Sequence, residues 1–166
     1  RRWAATIQLP STITIDTNLV DARELVQLAR GAGIHVAIVS TSSRELRPTD
    51  IRDDEFDIVL EILVLNESLL NQTVLASQAD ADNFEAILHI ISNGSFPCLG
   101  HRGSLSAGQQ RQFRDAQILT SHVAAGRDVF VTDDRRGFIS HGRLERLESR
   151  LATRILTGHQ LRELCS

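Results

Sequence analysis

Two short apolar runs, far apart in the chain, each stop at an aspartate. The first is Thr12–Ile15, followed by Asp16, and the second is Val129–Thr132, followed by Asp133 and Asp134. A β-branched, apolar run of this kind predicts a strand buried on both faces, with the aspartate at its carboxyl end. In open parallel α/β sheets, ligands bind outside the carboxyl ends of the strands. Carboxylates from two distant segments are therefore expected in one crevice, which suggests a bound cation.

Two further acids extend this set. Asp115 is placed in the first turn of a predicted helix, and Glu45 follows the second predicted strand. Four carboxylates in one crevice would repel each other strongly unless a cation neutralised them. These four are the carboxylates of Asp16, Glu45, Asp115 and Asp134. Oxygen ligands suit Mg²⁺ or Mn²⁺ rather than Zn²⁺, and the chain has no paired Cys/His spacing that would indicate zinc. Such a cation lowers the pKa of a bound water and offsets the charge of a phosphodiester.

Each of these acids also has a purely structural explanation. An aspartate such as Asp16 is often a helix cap or an Asx-turn residue. Asp115 is favoured by the helix dipole at a helix start, and Glu45 completes a capping box with Ser42. The acid pair at 133–134 precedes two arginines and is also typical of a turn with local ion pairs. The hypothesis of a cation site therefore depends on their joint placement at one sheet edge.

The elements that must position these acids alternate between strands and helices. Clear strands are predicted at 12–16, 35–39, 128–132 and 153–157, and less distinct ones at Phe56–Leu65 and Gln72–Ala76. Helices are predicted from Asp21 to Gly31 or Gly33, and at 41–47, from Asp82 to Gly94, and at 113–125, 144–151 and 160–164. This alternation predicts a three-layer α/β/α domain with a mainly parallel sheet.

Length and composition are those of one ordinary globular domain. The 166 residues predict a single domain, with its core at about 12–49 and 98–165. Residues 50–97 hold ten acids against one arginine and are interpreted as a packed insertion. No apolar stretch reaches the roughly 18 residues that span a bilayer. The two cysteines lack metal-ligand spacing and disulfide density, so a cytoplasmic setting is the default expectation.

Every one of the 18 basic residues is an arginine, and they are concentrated in the second half. Residues 101–154 hold ten arginines against six acids. Guanidinium groups match phosphate oxygens, so this half is a candidate nucleic-acid surface; the alternative is a solvated surface of ion-paired helices. The candidate RNA-binding residues are Arg102, Arg111, Arg114, Arg135 and Arg136. His101 and His122 have no ligand partner in the sequence and are interpreted as structural.

Taken together, these motifs resemble the PIN-domain family, the metal-dependent nuclease fold found in bacterial toxins and RNA-processing enzymes. The resemblance covers most of residues 12–165 apart from the acidic segment 50–97. It rests on Ile15-Asp16-Thr17-Asn18, on Arg114-Asp115-Ala116-Gln117-Ile118-Leu119 and on Val131-Thr132-Asp133-Asp134-Arg135-Arg136-Gly137-Phe138. It implies a five-stranded parallel sheet in the order 3-2-1-4-5, flanked by helices.

The resemblance also implies a role for each matched residue. Asp16, Asp115 and Asp134 would bind Mg²⁺ or Mn²⁺, with Asp133 as a neighbouring acid and Glu45 as the acid after the second strand. Residues that would orient the carboxylates or a water are Thr17, Asn18 and Thr132. The implied activity is hydrolysis of RNA, or less often of single-stranded DNA, in an enzyme that resembles the toxins. RNA is the implied partner, no membrane partner is expected, and an antitoxin or a second copy of the chain stays open.

Two other classes of protein compete with the nuclease interpretation. One is a PIN-like scaffold without activity that binds a protein through the acidic segment 50–97. The other is a phosphoacceptor receiver domain, which also has aspartates at strand ends and a Mg²⁺ site. Receivers need an adjacent acidic pair near the first strand and a lysine near the last, whereas this chain contains no lysine. The receiver interpretation is therefore the weakest of the three.

Overall fold

The computed structural model describes residues 8–19, 23–39, 56–59, 61–62, 73–74 and 77–166. Its strands are β1 (Thr12–Ile15), β2 (His35–Val39), β3 (Asp57–Val59), β4 (Glu61–Ile62), β5 (Thr73–Val74), β6 (Val129–Val131) and β7 (Arg154–Leu156). Five of them form one sheet in the order β3-β2-β1-β6-β7, in which every neighbouring pair is parallel. Counted along the chain within this sheet, the order is 3-2-1-4-5, so the predicted topology is confirmed.

Helices cover both faces of this sheet. They are α1 (Arg23–Gly31), α2 (Gln78–Ile91), α3 (Ala107–Ala124), α4 (Arg143–Leu151) and α5 (Gly158–Cys165). Buried residues of α1 and α5 share one cluster, and those of α2, α3 and α4 share the other. Two shorter turns sit at the carboxyl edge of the sheet, a 3₁₀ turn at Thr17–Leu19 and a π-helical turn at Arg135–Ile139.

Alternation along the strands divides the core between these two layers. In β1, Ile13 and Ile15 pack toward α1 and α5, whereas in β6 Phe130 packs toward α3 and α4. Because both faces are covered, the strands are apolar nearly throughout, as the sequence indicated. Phe138 is fully buried against Phe130, with the ring centroids 5.4 Å apart. It is a core residue.

Two helices begin four or more residues earlier than predicted. α2 begins at Gln78 rather than Asp82, and α3 begins at Ala107 rather than Phe113. In each case a serine caps the helix: Ser77 forms a capping box with Asp80, and Ser106 forms one with Gln109. These reciprocal bonds satisfy amide groups that would otherwise be orphaned, which extends each helix into polar sequence.

Parts of the acidic segment 50–97 contribute to the core. β3 extends the sheet beside β2, and Phe84, Ile87 and Leu88 of α2 are buried in the main cluster. The predicted strand at Phe56–Leu65 is divided between two sheets, because β3 pairs with β2 and β4 pairs with β5. The domain boundaries given above stay a prediction.

Three sequence predictions fall outside the described residues. These are the cap at Asp21, the helix at 41–47 and the site residue Glu45. Within the part of the chain that the structure describes, no helix combines the length and the apolar character needed to cross a membrane.

Candidate functional site

A cleft opens at the carboxyl edge of the sheet, where β1 and β6 end beside the first half of α3. Three acids from three distant segments, Asp16, Asp115 and Asp134, line it together. The remaining lining residues are Thr17, Asn18, Arg111, Arg114 and Ile118. The sequence therefore predicted the convergence of these acids, and the structure places them in one cleft.

Asp16 is the most buried of the three acids, with 4% of its surface exposed. Its backbone N–H donates to the carbonyl of Val131 over 2.9 Å, which continues the β1–β6 pairing and fixes the residue at the sheet edge. Its Oδ1 accepts from the N–H of Thr17 at 2.8 Å and from the Thr17 hydroxyl at 3.2 Å. Its Oδ2 accepts from the hydroxyl of Thr132 at 2.7 Å.

Burial dominates the electrostatics of Asp16. It raises the pKa of the carboxyl above its ordinary value of 3.8, and the nearby charge of Asp134 raises the pKa further. The hydrogen bonds from Thr132 and Thr17 lower the pKa and only partly oppose burial. Among the described residues, neither of the salt bridges found involves Asp16. Its negative charge is therefore costly in the absence of a cation.

Thr132 links two of the acids. It is fully buried, and its hydroxyl donates to Asp16 Oδ2 while accepting from the backbone N–H of Asp134 at 3.0 Å. Its own backbone N–H donates to the carbonyl of Leu156, 2.9 Å away. One hydroxyl thus fixes the Asp16 carboxylate relative to the chain that carries Asp134.

Asp134 caps the π-helical turn that follows it. Its Oδ1 accepts from the backbone N–H of Gly137 at 2.9 Å. A Cβ atom placed on Gly137 would lie 2.6 Å from Asp134 Oδ2 and 3.5 Å from Asp115 Oδ2. Both carboxylates therefore approach the same point, and only a glycine leaves that space open. Gly137 belongs to the motif Val131–Phe138, and a glycine so soon after two acids is the feature of the sequence that marks it.

Asp115 reaches the cleft from the interior of α3. It is the ninth residue of that helix, not a residue of its first turn, because the helix begins at Ala107. The helix dipole acts over the first turn and so does not explain an acid at this position. Asp115 is half-buried, and Ile118, one turn further along α3, is buried in the core and also lies at the cleft wall.

Asp133 points away from the cleft lining. Its Oδ1 accepts from the N–H of Gly158, the first residue of α5, at 2.9 Å. Its own N–H donates to Asn18 Oδ1 at 3.5 Å. In this structure the Asp133 side chain accepts a hydrogen bond from the first residue of a helix whose N-cap is Thr157, and a role for Asp133 in metal binding stays a prediction.

The five candidate arginines fall into three places. Arg111 and Arg114 are exposed and line the cleft, on the helix that carries Asp115. Arg135 and Arg136 are exposed on the π-helical turn, outside the cleft lining. Arg102 is held elsewhere: its Nη1 and Nη2 each donate to Glu85 at 2.8 Å, and its Nε donates to the carbonyl of Pro97. These bonds give Arg102 a structural role in anchoring a loop to α2.

The donor chemistry of the cleft suits a hard divalent cation. Its three acids are aspartates, which offer the hard oxygen ligands that such a cation prefers. Burial raises the pKa of Asp16, the most buried of them, and a bound cation would lower that pKa again. Within the described ranges, no three acids, histidines or cysteines lie close enough together to form a complete metal site. Glu45, the fourth predicted acid, is not among the described residues.

Fold and site together define an α/β protein with a parallel 3-2-1-4-5 sheet and an acidic cleft at its carboxyl edge. This sheet order is compatible with PIN-like folds. Comparisons with protein-family models, with curated proteins and with solved structures gave no match.

Proposed function

We propose that this protein is a Mg²⁺- or Mn²⁺-dependent endoribonuclease of the PIN type, similar to the toxins of that family. The observation that carries the proposal is the meeting of Asp16, Asp115 and Asp134 in one cleft, with Asp16 buried and its pKa raised by that burial. A purely structural role explains Asp16 and Asp134 separately, although not Asp115 in the interior of α3. It does not explain why three remote acids are brought to one place at an electrostatic cost.

Each acid has a part in holding the cation. Asp16 and Asp134 offer carboxylate oxygens from the ends of β1 and β6, and Asp115 offers one from α3. Thr17 and Thr132 restrict the Asp16 carboxylate to one orientation through three hydrogen bonds. A divalent cation, when bound, lowers the pKa of a water and offsets the charge of a phosphodiester.

The cleft also has groups suited to the substrate. Arg111 and Arg114 lie beside the acids and would hold phosphate oxygens of the RNA backbone. Among the described residues, no aromatic side chain lines the cleft, so base stacking is not expected to set the sequence preference. We therefore propose that the backbone rather than the bases supplies most of the binding energy.

Cleavage of a single-stranded RNA oligonucleotide in Mn²⁺ tests this function. We expect cleavage by the wild-type chain, its loss in EDTA, and its loss in Asp16→Asn and Asp134→Asn. The matched control is Asp82→Asn, because Asp82 is an exposed acid on α2 away from the cleft. Full activity in both cleft variants would refute the proposal. An inactive wild type that binds no Mn²⁺ would favour the scaffold alternative.

A further inference from the structure

A buried histidine connects the two elements that carry Asp16 and Asp115. His122 lies on α3 and has no exposed surface. Its Nδ1 is 2.8 Å from the hydroxyl of Thr14, and its Nε2 is 2.9 Å from the hydroxyl of Thr153. These three residues, His122, Thr14 and Thr153, are called the histidine bridge below.

The position of the bridge relates it to the acids. Thr14 precedes Asp16 by two residues, and because side chains alternate along a strand, both face the same side of the sheet. His122 follows Asp115 by seven residues, which is close to two helical turns, so both lie on the same face of α3. The bridge therefore joins the strand face that carries one acid to the helix face that carries the other.

The chemistry of the bridge gives it a directional effect that apolar packing lacks. Apolar contacts tolerate sliding of a helix over a sheet, whereas a pair of hydrogen bonds at 2.8 and 2.9 Å fixes both height and rotation. A neutral imidazole has one donor and one acceptor nitrogen, and threonine hydroxyls complement either. The ring also packs on Phe130 of β6, with the centroids 5.5 Å apart.

Burial keeps this histidine neutral. It lowers the pKa of His122 from 6.5 to about 3, and the positive charge of Arg127 lowers it in the same direction while Asp128 opposes both. At neutral pH the ring is therefore uncharged and both of its hydrogen bonds persist.

We propose that His122 is a positioning residue, which through Thr14 and Thr153 holds α3 at the height on the sheet that places Asp115 opposite Asp16 and Asp134. The metal-related part of this inference rests on the proposed function. The geometric part does not, because it concerns only the placement of α3 on the sheet.

The test uses Thr153→Val, which keeps the side-chain shape, removes the partner of Nε2 and lies far in sequence from the acids. We expect its Mn²⁺ dissociation constant, measured by calorimetric titration well below the unfolding temperature, to rise by about tenfold. Thr153→Ser keeps the hydroxyl and should retain the wild-type value. Leu147→Ala, a fully buried position on α4, is the control for lost stability and should also retain it.

A second measurement does not involve metal. Crystal structures of the metal-free wild type and of Thr153→Val give the separation of the Asp115 and Asp16 carboxylates, which we expect to change in the variant. Unchanged separation and unchanged Mn²⁺ affinity would overturn the bridge. If the wild type binds no Mn²⁺ but the separation changes, the proposed function fails and the positioning role stands.

Discussion

The carboxylate of Asp16 accepts three hydrogen bonds and is almost fully buried, so folding places a negative charge in a poorly solvated site. A buried charge of this kind lowers the stability of the folded chain. The same hydrogen bonds that orient the carboxylate lower its pKa, but burial outweighs them. Removal of the charge is therefore expected to raise the stability of the protein and to abolish its metal-dependent activity.

We predict that Asp16→Asn raises the free energy of unfolding by about 1 kcal/mol at pH 7 in EDTA, because the buried charge disappears while the shape is kept. Mg²⁺ should raise the melting temperature of the wild type and leave that of the variant unchanged. Thermal and denaturant unfolding measure both effects. A variant less stable than the wild type in EDTA would show that the charge is already compensated.

Thr132 provides a second test, because its hydroxyl contacts both the Asp16 carboxylate and the backbone N–H of Asp134. Thr132→Val leaves Asp16 Oδ2 and the N–H of Asp134 without this partner, which should cost about 1–3 kcal/mol of stability. Metal affinity should fall by roughly 10- to 100-fold. Thr132→Ser keeps the hydroxyl and is the control. Equal Mn²⁺ affinities for the Val and Ser variants would contradict the orienting role.

At the level of single residues, the sequence predicted the position of those that a local pattern marks, such as an acid that follows an apolar run. Asp16 and Asp134 follow apolar runs, so their place at the strand ends was readable from the chain. The same pattern does not separate Asp133 from Asp134, since adjacent side chains differ only in where they point. Asp133 bonds to Gly158, a residue 25 positions away, and no local signal reports such a contact.

The π-helical turn Arg135–Ile139 is the element that brings Asp134 into the cleft. It is closed by the N–H of Ser140 donating to the carbonyl of Arg135 at 2.7 Å, and it places Gly137 against two carboxylates. Turns of this type are frequent at functional sites. The Asp134 carboxylate leaves no room for a side chain at Gly137.

We predict that Gly137→Ala lowers Mn²⁺-dependent cleavage by at least about tenfold, because the new methyl group displaces the Asp134 carboxylate. Stability should change by less than about 1 kcal/mol, since the backbone at 137 is not in the left-handed region. Gly103→Ala is the matched control, with open space around its Cβ position and no left-handed backbone. Comparable activity in the two variants would count against a site at this turn.

At the scale of elements, apolar periodicity predicted the central strands, whereas the sheet order 3-2-1-4-5 was implied by the resemblance to the PIN-domain family. The segment Ala107–Gln112 is polar, and it is helical because Ser106 caps it and because buried turns of the same helix follow it. Apolar periodicity therefore did not predict the start of α3. It also did not divide Phe56–Leu65 between two sheets, since strand pairing depends on partners distant in sequence.

At the scale of the whole molecule, we expect the buried His122 to lower the stability of the folded protein in acid. Its pKa is about 3 when folded and 6.5 ordinarily, so below pH 6.5 the unfolded chain takes up a proton that the folded chain does not. Its contribution to stability therefore falls as the pH decreases from 6.5 toward 3, by about 1 kcal/mol per pH unit. Carboxylates titrate in the same range and contribute their own slope.

The contribution of His122 is isolated by comparison with His122→Gln. We predict that the free energy of unfolding of the variant depends less steeply on pH between 4 and 6.5, because the variant lacks the proton uptake of the unfolded histidine. Denaturant unfolding at a series of pH values measures both curves. Two parallel curves would show that the histidine does not titrate differently in the folded and unfolded chains.

The topology of the sheet brings the distant segments of the site together. The sequence therefore predicted which residues belong to the site better than it predicted their distances and orientations. Parallel strands β1 and β6 lie side by side, so acids 118 residues apart, Asp16 and Asp134, meet at one edge. The approach of Asp115 depends on where α3 packs on the sheet, and packing of that kind has no signal in the local sequence.

The most direct measurement is a crystal soaked in Mn²⁺ and examined for anomalous scattering. We predict one peak or an adjacent pair of peaks in the cleft, within bonding distance of carboxylate oxygens of Asp16, Asp115 and Asp134. A cleft without a peak while Mn²⁺ binds elsewhere on the surface would contradict this prediction, and so would an Asp115 side chain directed away from the other two acids.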